Sequence, residues 1–208
     1  MKIHRMLVVV AGLFLAGCGG GDDPGEDNTP PVTCSAANCT GCCFNNTCQT
    51  GNTASACGKA GAACKACDAA QVCKTEQTCG ADPAGVWLVQ PTSAQITASN
   101  NGTAWDADGS APDVFVEMLC PGATAASFTP EVESYTPAWT SGGCTATAGR
   151  LLAERWAFRV WDSDLSVNDT ITGVLLYQFR EEDLSAGRVT LQPSGGMMSI
   201  TLGVRKQP

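Results

Sequence analysis

The chain has 208 residues, 12 basic against 20 acidic, a net charge of −8, thirteen cysteines and a single histidine, His4. An acidic chain without a Lys/Arg stripe is a poor nucleic-acid binder, because neutralising phosphate supplies most of that affinity. With its one histidine at the extreme N-terminus, the chain offers neither the commonest general base nor a Cys/His zinc set elsewhere, which counts against hydrolytic chemistry.

Residues 1–17 place Lys2 and Arg5 ahead of an uncharged apolar run over 6–16. That run is about half the ~20 residues a spanning helix needs, so it reads as a cleaved export leader. Leu15-Ala16-Gly17-Cys18 resembles the lipobox of bacterial lipoproteins. The resemblance implies cleavage before Cys18, diacylglycerol on its thiol and a lipid-anchored place in the bacterial cell envelope, at the outer membrane on its periplasmic or surface face. An ordinary signal peptide with a nearby cysteine is the alternative. Without Lys2 and Arg5, ten basic residues face twenty acidic ones, and no histidine remains. Residues 18–33 carry Gly-Gly-Gly, Asp-Asp and Pro-Pro with almost nothing apolar, and read as a solvated tether with a reach of ~20 Å.

Residues 34–80 hold ten cysteines, with only Phe44 and Val72 as large apolar companions. Such a segment cannot build a useful hydrophobic core, so its order must come from cross-links. In an exported chain ten cysteines most simply mean five disulfides. Cys39-x-x-Cys42 and Cys64-x-x-Cys67 also have zinc-knuckle spacing, but an oxidising compartment and the adjacent Cys42-Cys43 pair favour disulfides. Thr40-Gly41-Cys42-Cys43 followed by spaced cysteines resembles the cysteine-rich stalk modules of predicted lipoproteins of myxobacteria, a resemblance that implies a location more than an activity. Apart from Cys18, two cysteines remain, Cys120 and Cys144, expected to pair with each other; two buried free thiols are the alternative.

Residues 81–208 contain all five tryptophans and most of the Val, Ile and Leu. Short alternating runs separated by Asn-Gly, Asp-Gly and Ser-Gly-Gly read as strands joined by turns. Strands are expected over 85–90, 114–119, 155–161, 188–192 and 197–205. Trp156, Phe158 and Val160 should point one way and Arg155, Ala157 and Arg159 the other. Val114, Val116 and Met118 form a second such face, and Met198, Ile200, Leu202 and Val204 a third. Helix is expected only as a turn near 181–184. The pattern predicts one all-β, antiparallel sandwich.

Two stretches are dense in aspartate: Asp106, Asp108 and Asp113 just before the strand at 114, and Asp162, Asp164 and Asp169 just after the strand ending at 161. Three carboxylates in one loop repel each other unless a cation neutralises them, and a hard divalent ion wants six to eight oxygens. Calcium suits irregular loops better than magnesium, which demands strict octahedral geometry. The turn-forming habit of Asp-Gly and Asp-Ser is the bland alternative.

The domain also resembles a C2 domain. Gly85-Val86-Trp87-Leu88-Val89-Gln90 matches that family's first strand, and Asp106-Ala107-Asp108-Gly109 with Pro112-Asp113-Val114-Phe115-Val116 resembles its first loop. Thr136-Pro137-Ala138-Trp139 resembles its Asn-Pro-Val-Trp, and Val160-Trp161-Asp162-Ser163-Asp164 with Asp169 its Val-Trp-Asp-x-Asp. The resemblance implies an eight-stranded antiparallel sandwich and a calcium site. Its ligands would be Asp106 and Asp113 in one loop and Asp162, Asp164 and Asp169 in the other, with Asp108 as an extra candidate. This chain departs from the pattern in a first loop one residue longer, Pro112 placed before Asp113, and a second loop one residue shorter.

The leading functional expectation is a lipid-tethered module whose calcium-loaded loops engage an anionic partner: phospholipid, lipopolysaccharide phosphate or an acidic glycan. Leu165 and Val167, at the loop tip, would touch that partner. The second is structural: calcium only rigidifies the loops, and a protein partner binds a face of the sandwich. An enzyme is the weakest, since the carboxylates crowd on turns and no Gly-x-Ser-x-Gly motif is present.

Overall fold

The computed structural model describes residues 32–193 and 195–208. The leader, Cys18 and the tether up to residue 31 lie outside the described residues.

Residues 34–80 fold around sulfur. Three short antiparallel pairs, β1 (Cys42–Phe44) with β2 (Thr47–Gln49), β3 (Asn52–Thr53) with β4 (Ala56–Cys57), and β5 (Gln71–Cys73) with β6 (Cys79–Ala81), are laced by five disulfides. These join Cys34 to Cys43, Cys39 to Cys48, Cys42 to Cys64, Cys57 to Cys73 and Cys67 to Cys79. The Cys42–Cys64 bond takes one member from each Cys-x-x-Cys, so the zinc-knuckle alternative is withdrawn: no thiolate is left to bind metal there. The module's buried apolar side chains are themselves cysteines, Cys39, Cys42 and Cys57. It meets the sandwich at Glu181, whose carboxylate pairs with Lys74 Nζ and accepts the Ala81 N–H at 2.9 Å.

The remainder is the predicted all-β antiparallel sandwich. One sheet runs β11 (Cys144–Thr147), β7 (Val86–Ile96), β16 (Met197–Lys206), β15 (Arg188–Leu191). The other centres on β8 (Asp113–Leu119) and β12 (Trp156–Asp162). Two short strands, β9 (Ser127–Phe128) and β10 (Val132–Glu133), share the free edge of β8, and two more, β13 (Asp169–Thr170) and β14 (Leu175–Tyr177), share that of β12. Each sheet is therefore four positions wide, the first built of four strands and the second of six. A disulfide between Cys120, just past β8, and Cys144, which opens β11, joins the sheets as expected.

Period-two burial builds the core. Trp156, Phe158 and Val160 of β12 and Val114, Val116 and Met118 of β8 pack against Val89, Ile200, Leu202 and Val204 of the opposite sheet. Met198 departs from its predicted face. It is 59% exposed while Met197 is 2% exposed, because a register shift between Met197 and Ser199 inserts one residue and turns the side chains over. Strand β7 outruns the predicted 85–90 and passes through Pro91, which lacks an N–H to give. A second shift, between Thr201 and Leu202, falls where Leu202 meets Pro91 and accommodates it.

Two helices form where one turn was expected. Helix α1 (Ala148–Ala153) is capped by Thr147, whose Oγ1 accepts the Arg150 N–H, and it buries Ala148 and Leu151. Tertiary burial here overrides the interior Gly149. Helix α2 (Glu181–Ala186) extends the expected turn and ends on Gly187 at φ 70°, the left-handed geometry that favours glycine at a helix end.

Candidate metal centre

The alternation that drives Trp156, Phe158 and Val160 into the core carries Asp162 into the same row at the end of β12, where it is fully buried. Its Oδ1 accepts the Asp113 N–H at 2.7 Å, and Ser163 N–H returns a bond to the Asp113 carbonyl at 2.9 Å. Those two bonds lock the end of β12 to the start of β8. The other oxygen, Asp162 Oδ2, is buried without a hydrogen-bond partner, and so is Asp106 Oδ2. An unpaired buried carboxylate oxygen is costly, so each demands a physical explanation.

The first loop is held rigidly up to Asp106. The Trp105 ring is buried and its Nε1 donates to the Thr97 carbonyl at 2.8 Å. Asp106 then opens a turn closed by Gly109 N–H on its carbonyl, with Gly109 at φ 83°. The second loop closes on itself through the Asp164 N–H and Asn168 Oδ1, at 3.2 Å.

An open cleft of about 670 Å³ lies between the loops, walled by the carboxylates of Asp106, Asp108, Asp113, Asp164, Glu131 and Glu133. The two glutamates were not singled out from the sequence. Glu133, on β10, stands directly across from Asp113, a like-charge pairing that costs stability unless something neutralises it. Glu131 accepts the Ser163 hydroxyl at 3.0 Å. The available signal was the Glu131-Val132-Glu133 alternation, but its partner strand is not visible in the sequence.

Burial pushes the Asp162 carboxyl up to about 6, opposed by the Asp113 N–H and reinforced by the charges of Asp106, Asp164 and Asp113. Burial likewise raises Asp113, with Asp106, Glu131 and Asp164 adding repulsion. Four of the six predicted aspartates, Asp106, Asp113, Asp162 and Asp164, thus share one electrostatic neighbourhood. Asp108 stands apart. Its carboxylate accepts the Ser110 hydroxyl at 2.7 Å and the Ser110 N–H at 3.0 Å, which lowers its pKa and stabilises a turn. Asp169 is exposed on β13, opposite Asp162. Leu165 and Val167 project from the second loop into solvent, and Leu165 borders the cleft.

The carboxylates border a common space without meeting at a point. Among the described residues, the groups of three potential ligands within 4.8 Å of one another are cysteine triplets in the disulfide module, and no set of aspartates is that tight. The donor set is nonetheless all oxygen, which suits a hard divalent cation. The two partnerless oxygens, Asp106 Oδ2 and Asp162 Oδ2, are the atoms such a cation would satisfy.

No protein-family model matches the chain, and no curated protein matches it by sequence. Solved structures similar to it include C2 domains. The first C2 domain of plant extended synaptotagmin 1 is 15% identical over 61% of this chain and 98% of that chain, with a TM-score of 0.43. The paired C2 domains of extended synaptotagmin 2, calcium bound, are 15% identical over 59% of this chain and 46% of that chain, at 0.41. The first C2 domain of RIM from Drosophila is 15% identical over 47% of this chain and 87% of that chain, at 0.32.

Proposed function

We propose that this chain is a lipid-tethered display protein whose terminal sandwich binds calcium between its two aspartate loops and uses the ion to engage an anionic partner. The supporting observation is the pair of buried, partnerless oxygens, Asp106 Oδ2 and Asp162 Oδ2, inside a ring of mutually repelling carboxylates. Asp106, Asp113, Asp162 and Asp164 would hold the ion, with Glu131 and Glu133 completing the acidic wall; Asp108 and Asp169 are further candidates. Bound calcium would supply the positive charge that a phosphate or carboxylate of the partner needs. The chain's own residues do the rest. The Asp113 N–H fixes the Asp162 carboxylate, the buried Trp105 fixes the entry to Asp106, and Leu165 and Val167 lie where a lipid headgroup layer would meet the loop.

The disulfide module docks beside Glu181 and the first residues of β7, whereas the aspartates sit at the opposite ends of β8 and β12. A lipid at Cys18 would already hold the protein on its own membrane, which favours a partner on a different surface.

Co-sedimentation with vesicles tests the reading. In 1:3 phosphatidylserine:phosphatidylcholine, or lipopolysaccharide-containing vesicles, the protein is expected to pellet with calcium and to stay soluble with chelator. Leu165→Ser with Val167→Ser should weaken pelleting several-fold without changing calcium binding. Calcium-driven stabilisation with no pelleting would replace this reading with the structural one, in which the ion only stiffens the loops.

A further inference from the structure

The two outer faces of the sandwich differ in chemistry. The outside of the β7/β16/β15 sheet is mainly polar, with Val86 and Met198 its exposed apolar side chains: Thr190 Oγ1 meets Thr201 Oγ1 at 3.0 Å, and Thr92 Oγ1 donates to the Thr201 carbonyl at 3.1 Å. The outside of the β8/β12 sheet is aromatic and aliphatic. Phe128, Phe115 and Trp161, from three adjacent strands, form a row with ring centroids 6.2 and 6.5 Å apart, and the Phe115 and Trp161 rings lie within 17° of parallel. The Arg159 guanidinium sits over the Trp161 ring, 5.0 Å from its centroid. Glu117 Oε2 accepts the Trp161 indole N–H at 2.8 Å and lies 3.8 Å from Arg159. Farther along the face, Leu119 and Leu176 are half exposed beside a hollow of about 180 Å³ lined by Leu119, Ala157 and Val174.

We propose that this face is a binding site for a neutral polysaccharide chain. Size and charge favour this occupant. Seven-residue strands at ~3.3 Å per residue and four strands at ~4.8 Å spacing give a footprint of ~440 Å². That is about half the ~800 Å² per partner of a stable protein interface, which argues against a second copy or a folded protein. The charges at the centre of the row, Glu117 and Arg159, compensate each other, so the row itself offers no unpaired charge to select an ion. The chemistry is complementary to a sugar. The C–H face of a pyranose carries slightly positive hydrogens that meet the negative face of an aromatic ring. Its hydroxyls would find Glu117 Oε1 and the remaining Arg159 N–H groups, which are already aligned by the Trp161 contact. The hollow beside Val174 has room for a sugar ring or its substituent. The site shares no residue with the aspartate cleft and needs no calcium.

The test is titration of the full soluble chain, with chelator present, against neutral hexasaccharides of β-1,4-glucan, β-1,3-glucan and chitin, read by Trp fluorescence and calorimetry. At least one should bind saturably. Trp161→Ala should weaken it tenfold or more and Phe128→Ala, at a half-exposed ring, several-fold, with Thr190→Ala, on the outer face of the other sheet, leaving it unchanged. Circular dichroism and thermal unfolding establish that Phe128→Ala remains folded. Absence of saturable binding to all three at millimolar sugar, or binding indifferent to both ring variants, would overturn the proposal. So would concentration-dependent dimerisation in sedimentation that Phe128→Ala abolishes, which would assign the face to self-association.

Discussion

In chelator at pH 7, Asp162→Asn unfolds at a higher temperature than the wild type, and in saturating calcium the order reverses. The reason lies in one buried carboxylate. Its pKa stands at about 6 instead of the ordinary 3.8, mainly because burial disfavours the charged form. Two pKa units correspond to roughly 2–3 kcal/mol of destabilisation of the ionised state. Asparagine keeps an oxygen for the Asp113 N–H and removes the charge. The pH dependence follows with a definite sign. A carboxyl raised by folding contributes stability that is fully present below its unfolded pKa of 3.8 and is lost as pH rises through about 6. Calcium-free wild type should therefore melt progressively lower as pH increases across that window, and Asp162→Asn should lose most of this slope. Calcium at a hundred times its Kd adds ~2.7 kcal/mol to a protein that binds it only when folded. Thermal unfolding between pH 4.5 and 7.5, with chelator and with calcium, checks all of this. A wild type whose stability in chelator is flat over that range would contradict it.

Reduction should dismantle the module at 34–80 and leave the sandwich standing. Its five disulfides close loops with sequence separations of 9, 9, 22, 16 and 12. On a chain-entropy estimate each removes about 3 kcal/mol of freedom from the unfolded chain. Nothing else there replaces them, because the buried apolar groups are the cysteines themselves. The sandwich carries instead a large core around Trp156, Phe158, Met118 and Leu202. Amide hydrogen exchange under mild reductant should show peptides from 34–80 exchanging at unfolded-chain rates while β8 and β12 stay protected. Retained protection across 34–80 after full reduction would mean that the module has a core that its burial pattern does not reveal.

What was legible in the sequence was local and periodic. The inward row of β12 follows from its alternation, and the two aspartate loops from their density at strand ends. The same local logic fails where a distant strand intervenes. Met197 and Met198 exchange faces because β16 bulges against β7, and β7 survives Pro91 because its partner shifts register at Leu202. Glu131 and Glu133 reach the cleft only because β10 pairs with β8, and Glu133 opposes Asp113 by that register. Nor does composition reveal that Asp108 satisfies itself on Ser110 while Asp162 keeps one oxygen bare. The cysteine count gave the number of bonds in the module; their pairing depends on which hairpins stack.

The central claim is that the partnerless oxygens of Asp106 and Asp162 belong to a calcium site. Isothermal titration of calcium into chelator-treated, re-dialysed protein at pH 7 tests it most directly. The wild type should show saturable binding, with a Kd of ~10⁻⁴ to 10⁻³ M for an extracellular-type site, and the Asp106→Asn, Asp162→Asn double variant should show none. Absence of saturable binding by the wild type up to ~10 mM calcium, well above that range, or undiminished binding by the double variant, would contradict it.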